Sequence, residues 1–457
     1  MINPFTIVLI SIYLYIIFAE KTVKGIHVKC LCLSAIVQVF AFMGYFISTG
    51  SNWYTYDKAC LFMMFCNSIF LIFNKRKNMQ VKKCVLSWLF MSILSIVIIS
   101  NFMLIITPYD GLVVDHGAWV EYVVYRLNVE VYPNFNFLTF LVQTIYVLSF
   151  ILTFFTVKVY YKTEDLLCLY RWADKFFSVY LFLLFLELIM ANIFNSNFFT
   201  ECYTSIFGVD NSTTIELVTN KGDTVGIHGV TREPQHLAYS LLMFMVLNVI
   251  YKCKVLKRTM NKYDILKLLF SSMLMFSSGA FSSIVYIFCF LLFCLLLYVE
   301  RLSKKKKIVA LCVLVPSILL IGNTLVILIA NGDGYFAMKM NNTLEILYQP
   351  EALRGSGIEN ATRLISIYKA LEYFLNSPFI GLGLGVVDCH STWISFVASV
   401  GMFGFFCWLK FVFSGGEYNK LLILTFYFLP GIVIGLADWV YTFYMIYAIE
   451  GCKKGNC

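Results

Sequence analysis

The chain has 457 residues, 60% of them hydrophobic and 13% charged, with a net charge of +9. Soluble globular proteins carry about 25% charged residues, so an ordinary soluble domain is excluded, and recurring apolar runs of about 20 residues indicate a polytopic membrane protein. The positive balance does not point to nucleic acid, because the basic residues fall in short loops between apolar runs: "NKRKNMQVKK" (74–83), "YKCKVLKRTMNKY" (251–263) and "RLSKKKK" (301–307).

The first apolar run, 4–19, has no basic residue before it and no small-residue cleavage site after it. It reads as a first membrane helix rather than a cleavable leader. Further spans are predicted over 28–48, 59–73, 84–107, 135–157, 176–195, 234–251, 264–278, 280–299, 308–330 and 391–411. The final run, 421–448, is one span or a tight pair around "GLAD" (435–438). The expected fold is an all-α integral membrane protein: a single polytopic domain over 1–457 with about 12 or 13 transmembrane helices.

Cytoplasmic loops attract Lys and Arg. Placing the basic segments inside gives inner loops 20–27, 74–83, 158–175, 252–263, 300–307 and 412–420, and outer loops 49–58, 108–134, 196–233 and 331–390. The N-terminus then lies outside. Loop 196–233 carries five acids and two basic residues; loop 331–390 carries six acids and four basic residues. Both are long for simple connections, and long loops often hold function. Most of the 15 cysteines lie in apolar runs, where Cys acts as a small hydrophobe. No pair has zinc-ligand spacing with a nearby His. Cys202 and Cys389 both fall on the outer side, which leaves a disulfide between them open.

The first outer loop ends in "GVTREPQHLAYSLLMF" (229–244). Pro234 suits the first position of a helix, where a missing N–H costs nothing, and Thr231 or Glu233 suits its cap. The helix start offers free N–H groups and partial positive charge. With Arg232 beside it, that end makes an anion site of the kind that binds phosphate. Glu233 and His236 are three apart and share a face. The dipole favours a neutral His236, able to take a proton. Simple capping, with Arg232 paired to Glu233, is the alternative. Glu187 in "LFLELIM" and Asp438 in "GLADWV" are acids within apolar runs, where a structural hydrogen bond and a functional role are both open.

The second outer loop ends in "ENATRLISIYKALEYFLNSPFIGLGLGVVDCHSTWISFVASVGMFGFF" (359–406). Its first part predicts an amphipathic helix on the bundle's outer surface, with Leu364, Ile367, Tyr368, Leu371 and Leu375 on the apolar face. The helix stops at Ser377-Pro378. "GLGLG" (381–385) is a turn poor in side chains; as a phosphate loop it lacks the preceding strand. His390 opens the next span.

These two stretches resemble the bacterial O-antigen polymerases, the Wzy family, and more distantly the O-antigen ligases. "REPQHLA" (232–238) is similar to the family's Glu-Pro element at a helix start. "RLISIYKALEYFLNSPFIGLGLG" with "HSTWISFVASVGMFGFF" is similar to an Arg, then a Pro-x-x-Gly-x-Gly turn, then a His opening a span that holds a Gly. Together they cover roughly 60 residues, about one part in eight of the chain. Ser391 stands where relatives often have Asn, and "SSGA" (277–280) replaces a basic element. Glu233-Pro234 favours polymerase over ligase.

The resemblance implies a GT-C-like, metal-independent glycosyltransferase of the bacterial inner membrane, active on the periplasmic face and needing no cofactor. It would move a growing polysaccharide from undecaprenyl pyrophosphate onto the non-reducing end of a lipid-linked repeat unit. A Wzz-type chain-length regulator is the implied partner. On this view Arg232, Arg363, Lys369 and Arg354 stabilise the pyrophosphate. His390, then His236, serves as base, with Glu233 orienting or replacing either. A ligase or a lipid-linked oligosaccharide flippase is the alternative.

Overall fold

A computed structural model describes residues 4–37, 45–49, 52–75, 160–196, 198–207, 227–231, 234–256, 258–280, 282–300, 370–383 and 391–413, with isolated positions between 98 and 157 and between 302 and 341. The elements in order are α1 (Pro4–Ala19), α2 (Val23–Val37), a hairpin of β1 (Tyr45–Thr49) and β2 (Asn52–Thr55), α3 (Tyr56–Lys75), α4 (Thr163–Asn192), α5 (Phe198–Phe207), α6 (Pro234–Ile250), α7 (Lys262–Ser277), α8 (Ser282–Glu300) and α9 (Thr392–Phe413). The described residues are mostly helical, as the composition predicts.

Three elements depart from the expected spans. The run 28–48 is not one helix: α2 stops at Val37 and the tail of the run pairs antiparallel with β2, Ser48 opposite Trp53. An apolar run alone does not separate helix from strand, and this segment is rich in aromatic and β-branched residues. Secondly, α4 has 30 residues and takes in much of the expected loop 158–175. Its charged first turns lower the hydropathy without ending the hydrogen-bond ladder. Glu164 and Asp165 suit a helix start, and Asp165 Oδ2 accepts from the Lys162 N–H at 2.6 Å. Thirdly, a short helix, α5, occupies part of loop 196–233. Expected spans 84–107, 135–157, 308–330 and 421–448 fall largely or wholly outside the described residues.

The core is built round α6. Nearly all of its residues are buried, as expected of a helix apolar on every side. Phe176, Phe177 and Tyr180 of α4 pack on Phe244, the Phe177 ring stacked at 5.2 Å. Tyr239 of α6 meets Tyr286 of α8 edge-on at 5.8 Å. Among the described residues, Pro234–Cys253 and Ser282–Val299 are long and apolar enough to cross a membrane.

Away from α6, α2 and α3 are joined by buried His27. Its Nδ1 lies 2.7 Å from Tyr161 Oη, and its Nε2 lies 2.9 Å from Ser68 Oγ and 3.1 Å from Thr156 Oγ1. Both ring nitrogens are engaged, so this histidine is a structural tie.

Candidate functional site

α6 begins at Pro234, as its lack of an N–H predicts. The turn that feeds it, His228–Thr231, is wholly buried. Thr231 N–H donates to the His228 carbonyl at 3.1 Å, and Thr231 Oγ1 donates to the same oxygen at 2.6 Å. His228 Nδ1 lies 2.9 Å from the Thr231 carbonyl. Ile227 N–H donates to the Ser277 carbonyl at the end of α7.

Glu187 of α4 reaches this turn from 41 residues away in sequence. Its Oε1 accepts from the His228 N–H at 2.9 Å and from the Gly229 N–H at 3.1 Å. Two successive backbone N–H groups on one oxygen form a small anion nest. Gly229 adopts φ +60°, and a Cβ there would stand 2.6 Å from Tyr180 Oη and 2.7 Å from Leu184 Cδ2. Only glycine fits this turn against α4. Tyr203 of α5 closes the cluster, its ring edge-on to His228 at 6.2 Å. Of the two open roles for Glu187, the structure displays the structural one.

His236 sits in the first turn of α6, half-buried, and its carbonyl accepts from Ser240 Oγ at 2.9 Å. Arg232 and Glu233, flanked by Thr231 and Pro234, lie outside the described residues. So do Arg354, Arg363, Lys369, His390, Cys389 and Asp438. Cys202 carries a free thiol. Among the described residues no group of three metal-ligating side chains comes together.

The second stretch forms a backbone clasp. A helix over 370–376 ends at Ser377, as Pro378 predicts. It buries Ala370 and Tyr373, whereas Leu371 and Leu375 face outward. Of the expected apolar stripe, Leu371 and Leu375 are thus at the surface, and Leu364, Ile367 and Tyr368 lie outside the described residues. The chain then runs into α9, which is broken at Gly401 (φ +65°, ψ −176°). Leu382 N–H donates to the Ala398 carbonyl at 3.0 Å and Gly383 N–H to the Ser399 carbonyl at 2.8 Å. In return Met402 N–H donates to the Pro378 carbonyl at 2.8 Å and Phe403 N–H to the Phe379 carbonyl at 3.3 Å. The broken helix ladder is thus repaired by residues 378–383.

Two glycines permit this approach. A Cβ on Gly381 would lie 2.4 Å from the Ser399 carbonyl oxygen, and one on Gly401 would lie 2.3 Å from that of Phe379. The N–H groups of Gly381, Leu382 and Gly383 all donate to backbone carbonyls, so they do not cradle a phosphate. The described part of the glycine turn, 381–383, is a packing device.

A third cluster lies at the opposite end of α6. Asp174 of α4 accepts from Asn248 Nδ2 at 2.5 Å, pairs with Lys267 at 2.7 Å and pairs with Lys252 at 3.2 Å. Lys252 also meets Asp264 at 3.5 Å, and Arg258 pairs with Asp264 at 3.3 Å. Burial pushes the Asp174 carboxyl up, but bonds and charge from Lys267 and Lys252 outweigh it and hold it below the usual aspartate range.

The Glu187–His228 contact is the part of the site that sequence reasoning missed. Its one readable signal was an acid inside an apolar run; nothing in a one-dimensional pattern paired it with His228. Neither protein-family models nor curated proteins give a match to this chain.

Proposed function

We propose that the chain is an O-antigen polymerase, a glycosyltransferase that extends a polysaccharide held on undecaprenyl pyrophosphate at the outer face of the bacterial inner membrane. The observation that carries this reading is the setting of α6. Residues 234 to 252 span about 27 Å at 1.5 Å per residue, close to the roughly 30 Å of a bilayer's hydrocarbon core. The helix is buried, with the Glu187–His228 cluster at its start and the Asp174–Lys252 cluster at its end. This setting supports a reading in which the Arg-Glu-Pro element lies at one membrane surface and the Lys-rich 251–263 segment at the other.

The outward faces support a lipid setting. Ile265, Leu266, Leu269, Met273 and Phe276 of α7 are exposed, while Asp264 and Ser271 are buried. On α1, Ile7, Val8, Leu14, Tyr15 and Phe18 are exposed. A surface this apolar suits acyl chains. A polytopic bundle of 12 or 13 helices accommodates these faces and the remaining apolar runs.

In the proposed reaction an acceptor hydroxyl of the lipid-linked repeat attacks the anomeric carbon of the growing chain. The bond from that carbon to the pyrophosphate oxygen breaks, and undecaprenyl pyrophosphate leaves with the electron pair. The hydroxyl proton passes to His390, or to His236, with Glu233 orienting or replacing either base. Arg232 and Arg363, with Lys369 and Arg354, offset charge growing on the leaving oxygen. The clasp at Gly381–Gly383, bonded to Ala398 and Ser399 of α9, lies before His390 in sequence.

A ligase would use the same outer residues on a different acceptor. A flippase is less well supported, because Glu187, one of the two intramembrane acids (with Asp438) that would serve that role, is bound to two backbone N–H groups. The test is a lipopolysaccharide gel of parent, deletion and complemented deletion. Core bearing a single repeat in the deletion supports polymerase. Long polymer left on undecaprenyl pyrophosphate means ligase. Unpolymerised unit facing the cytoplasm means flippase, and an unchanged ladder overturns all three.

A further inference from the structure

We propose that the inner-face end of α4 carries a binding site for an anionic phospholipid headgroup, its phosphodiester held by Arg171 and Lys175. The inference goes beyond the polymerase reading. It rests on the membrane setting of α6 and not on the reaction at the outer face. The site is built on one stripe of α4. Glu164, Leu167, Cys168, Arg171, Trp172 and Lys175 recur at helical spacing and line a cavity of about 360 Å³. Trp172 is exposed, and Lys175 Nζ lies 5.8 Å from its ring centroid, within reach of a cation–π contact.

Among the described residues neither Arg171 nor Lys175 is in an ion pair, whereas nearby Lys24 pairs with Asp165, Lys29 with Glu20, and Lys252 and Lys267 with Asp174. The described lining holds these two cations and one acid, Glu164, a balance of +1. Glu164 stands about 10 Å along the helix from Arg171. The field is felt at Cys168. A hydrogen bond with the Cys32 thiol of α2, then the charges of Arg171 and Lys29, outweigh burial and Asp165 and hold this thiol below its ordinary value.

Two further observations specify a lipid. The first is depth. Asp174, next to Lys175, bonds Asn248 and Lys252 at and just past the end of α6, so the cavity lies at the level where that span ends. Trp, Arg and Lys at such a level match an interfacial belt, and the inner leaflet is anionic. The second is continuity. The stripe runs on from Lys175 into Val179 and Phe182, both exposed, with the spacing kept. A headgroup on Arg171 and Lys175 therefore has an apolar stripe on its membrane side for acyl chains. A free phosphate would use the cations and leave that stripe bare. A balance of +1 matches the single negative charge of a phosphodiester, and the Arg171 fork suits two of its oxygens.

The test uses the full chain in non-ionic detergent, mixed with phosphatidylglycerol, phosphatidylcholine or glycerol 3-phosphate. Native mass spectrometry measures binding. The rate at which N-ethylmaleimide alkylates Cys168, with Cys202 as control, shows where the lipid sits. Phosphatidylglycerol should bind and slow Cys168 but not Cys202; phosphatidylcholine, which carries no net charge, should do neither. Arg171→Gln and Lys175→Gln should each weaken phosphatidylglycerol about fivefold, and Lys175→Arg should retain it. Both cations are exposed, so these variants should melt like the parent. Alkylation is compared with and without lipid within each variant, so the altered thiol of Arg171→Gln does not enter. Equal protection by glycerol 3-phosphate would mean a soluble phosphate ligand and overturn the lipid. Equal binding of phosphatidylcholine would mean that chains alone are recognised. Undiminished binding in the Arg171→Gln/Lys175→Gln pair, or a Cys168 that resists alkylation without lipid, overturns the site. None of these outcomes bears on the lipopolysaccharide gel, so the polymerase reading stands or falls apart from them.

Discussion

At the scale of single residues, the two clasp glycines make a sharp prediction. Gly381 (φ +79°) and Gly401 (φ +65°) each lie in the left-handed region and each face a carbonyl oxygen of the other segment. Alanine at either adds about 1–2 kcal/mol of backbone strain and a further overpacking cost of about 1–3 kcal/mol. We expect either variant to lower the melting temperature in detergent, and the double variant to lose less than the sum, because both disturb one contact. A Gly381→Ala protein that melts like the parent would refute the clasp. The same scale holds a chemical prediction. Arg363→Ala and His390→Ala should reach the membrane at parental levels and leave core with one repeat on a lipopolysaccharide gel; normal chain lengths in both would sink those assignments. The glycine run was visible in the sequence, but its purpose was not. Spacing suggested a turn, whereas its role depends on Gly401, which is 20 residues further on and looks like any glycine in an apolar helix.

At the scale of elements, α4 shows what hydropathy does and does not convey. The start of α1 and both ends of α6 match the apolar runs closely, because there the end of the apolar run and the end of the hydrogen-bond ladder coincide. In α4 they separate: Asp174 and Lys175 look like loop residues but continue the helix. Asp174 then becomes the anchor between α4, α6 and α7. Its carboxyl is held below the ordinary aspartate value by Lys267 and Lys252. Folding is therefore favoured by the charged form. That contribution is fully present above the unfolded value of about 3.9 and is lost as pH falls through the depressed folded one. Asp174→Asn should destabilise the protein at neutral pH by about 1–3 kcal/mol, a range reduced for partial exposure of the pair. The parent–variant difference should shrink below about pH 4. A melting difference that is constant across the acid range would refute this account.

At the scale of the whole molecule, the proposed chemistry depends on which end of α6 faces which compartment. Basic residues near helix ends stay in the cytoplasm, and the segment after α6 carries Lys252, Lys254, Lys257 and Arg258. The segment before it, 196–233, is rich in acids. The proposed reaction takes place on the outer face, so it requires Arg232 and Glu233 outside. The hairpin Tyr45–Thr55 and the length of α4 do not alter that requirement, since neither changes the side on which α6 begins. Fusions test it without touching any proposed residue. Alkaline phosphatase inserted near 215 should be active and green fluorescent protein there dark; near 259 the pattern should reverse. Fluorescence near 215 would place the Arg-Glu-Pro element in the cytoplasm, away from the polymerising substrate. The polymerase reading would then fail even if every helix is correct, because a site of the right residues on the wrong face meets no acceptor.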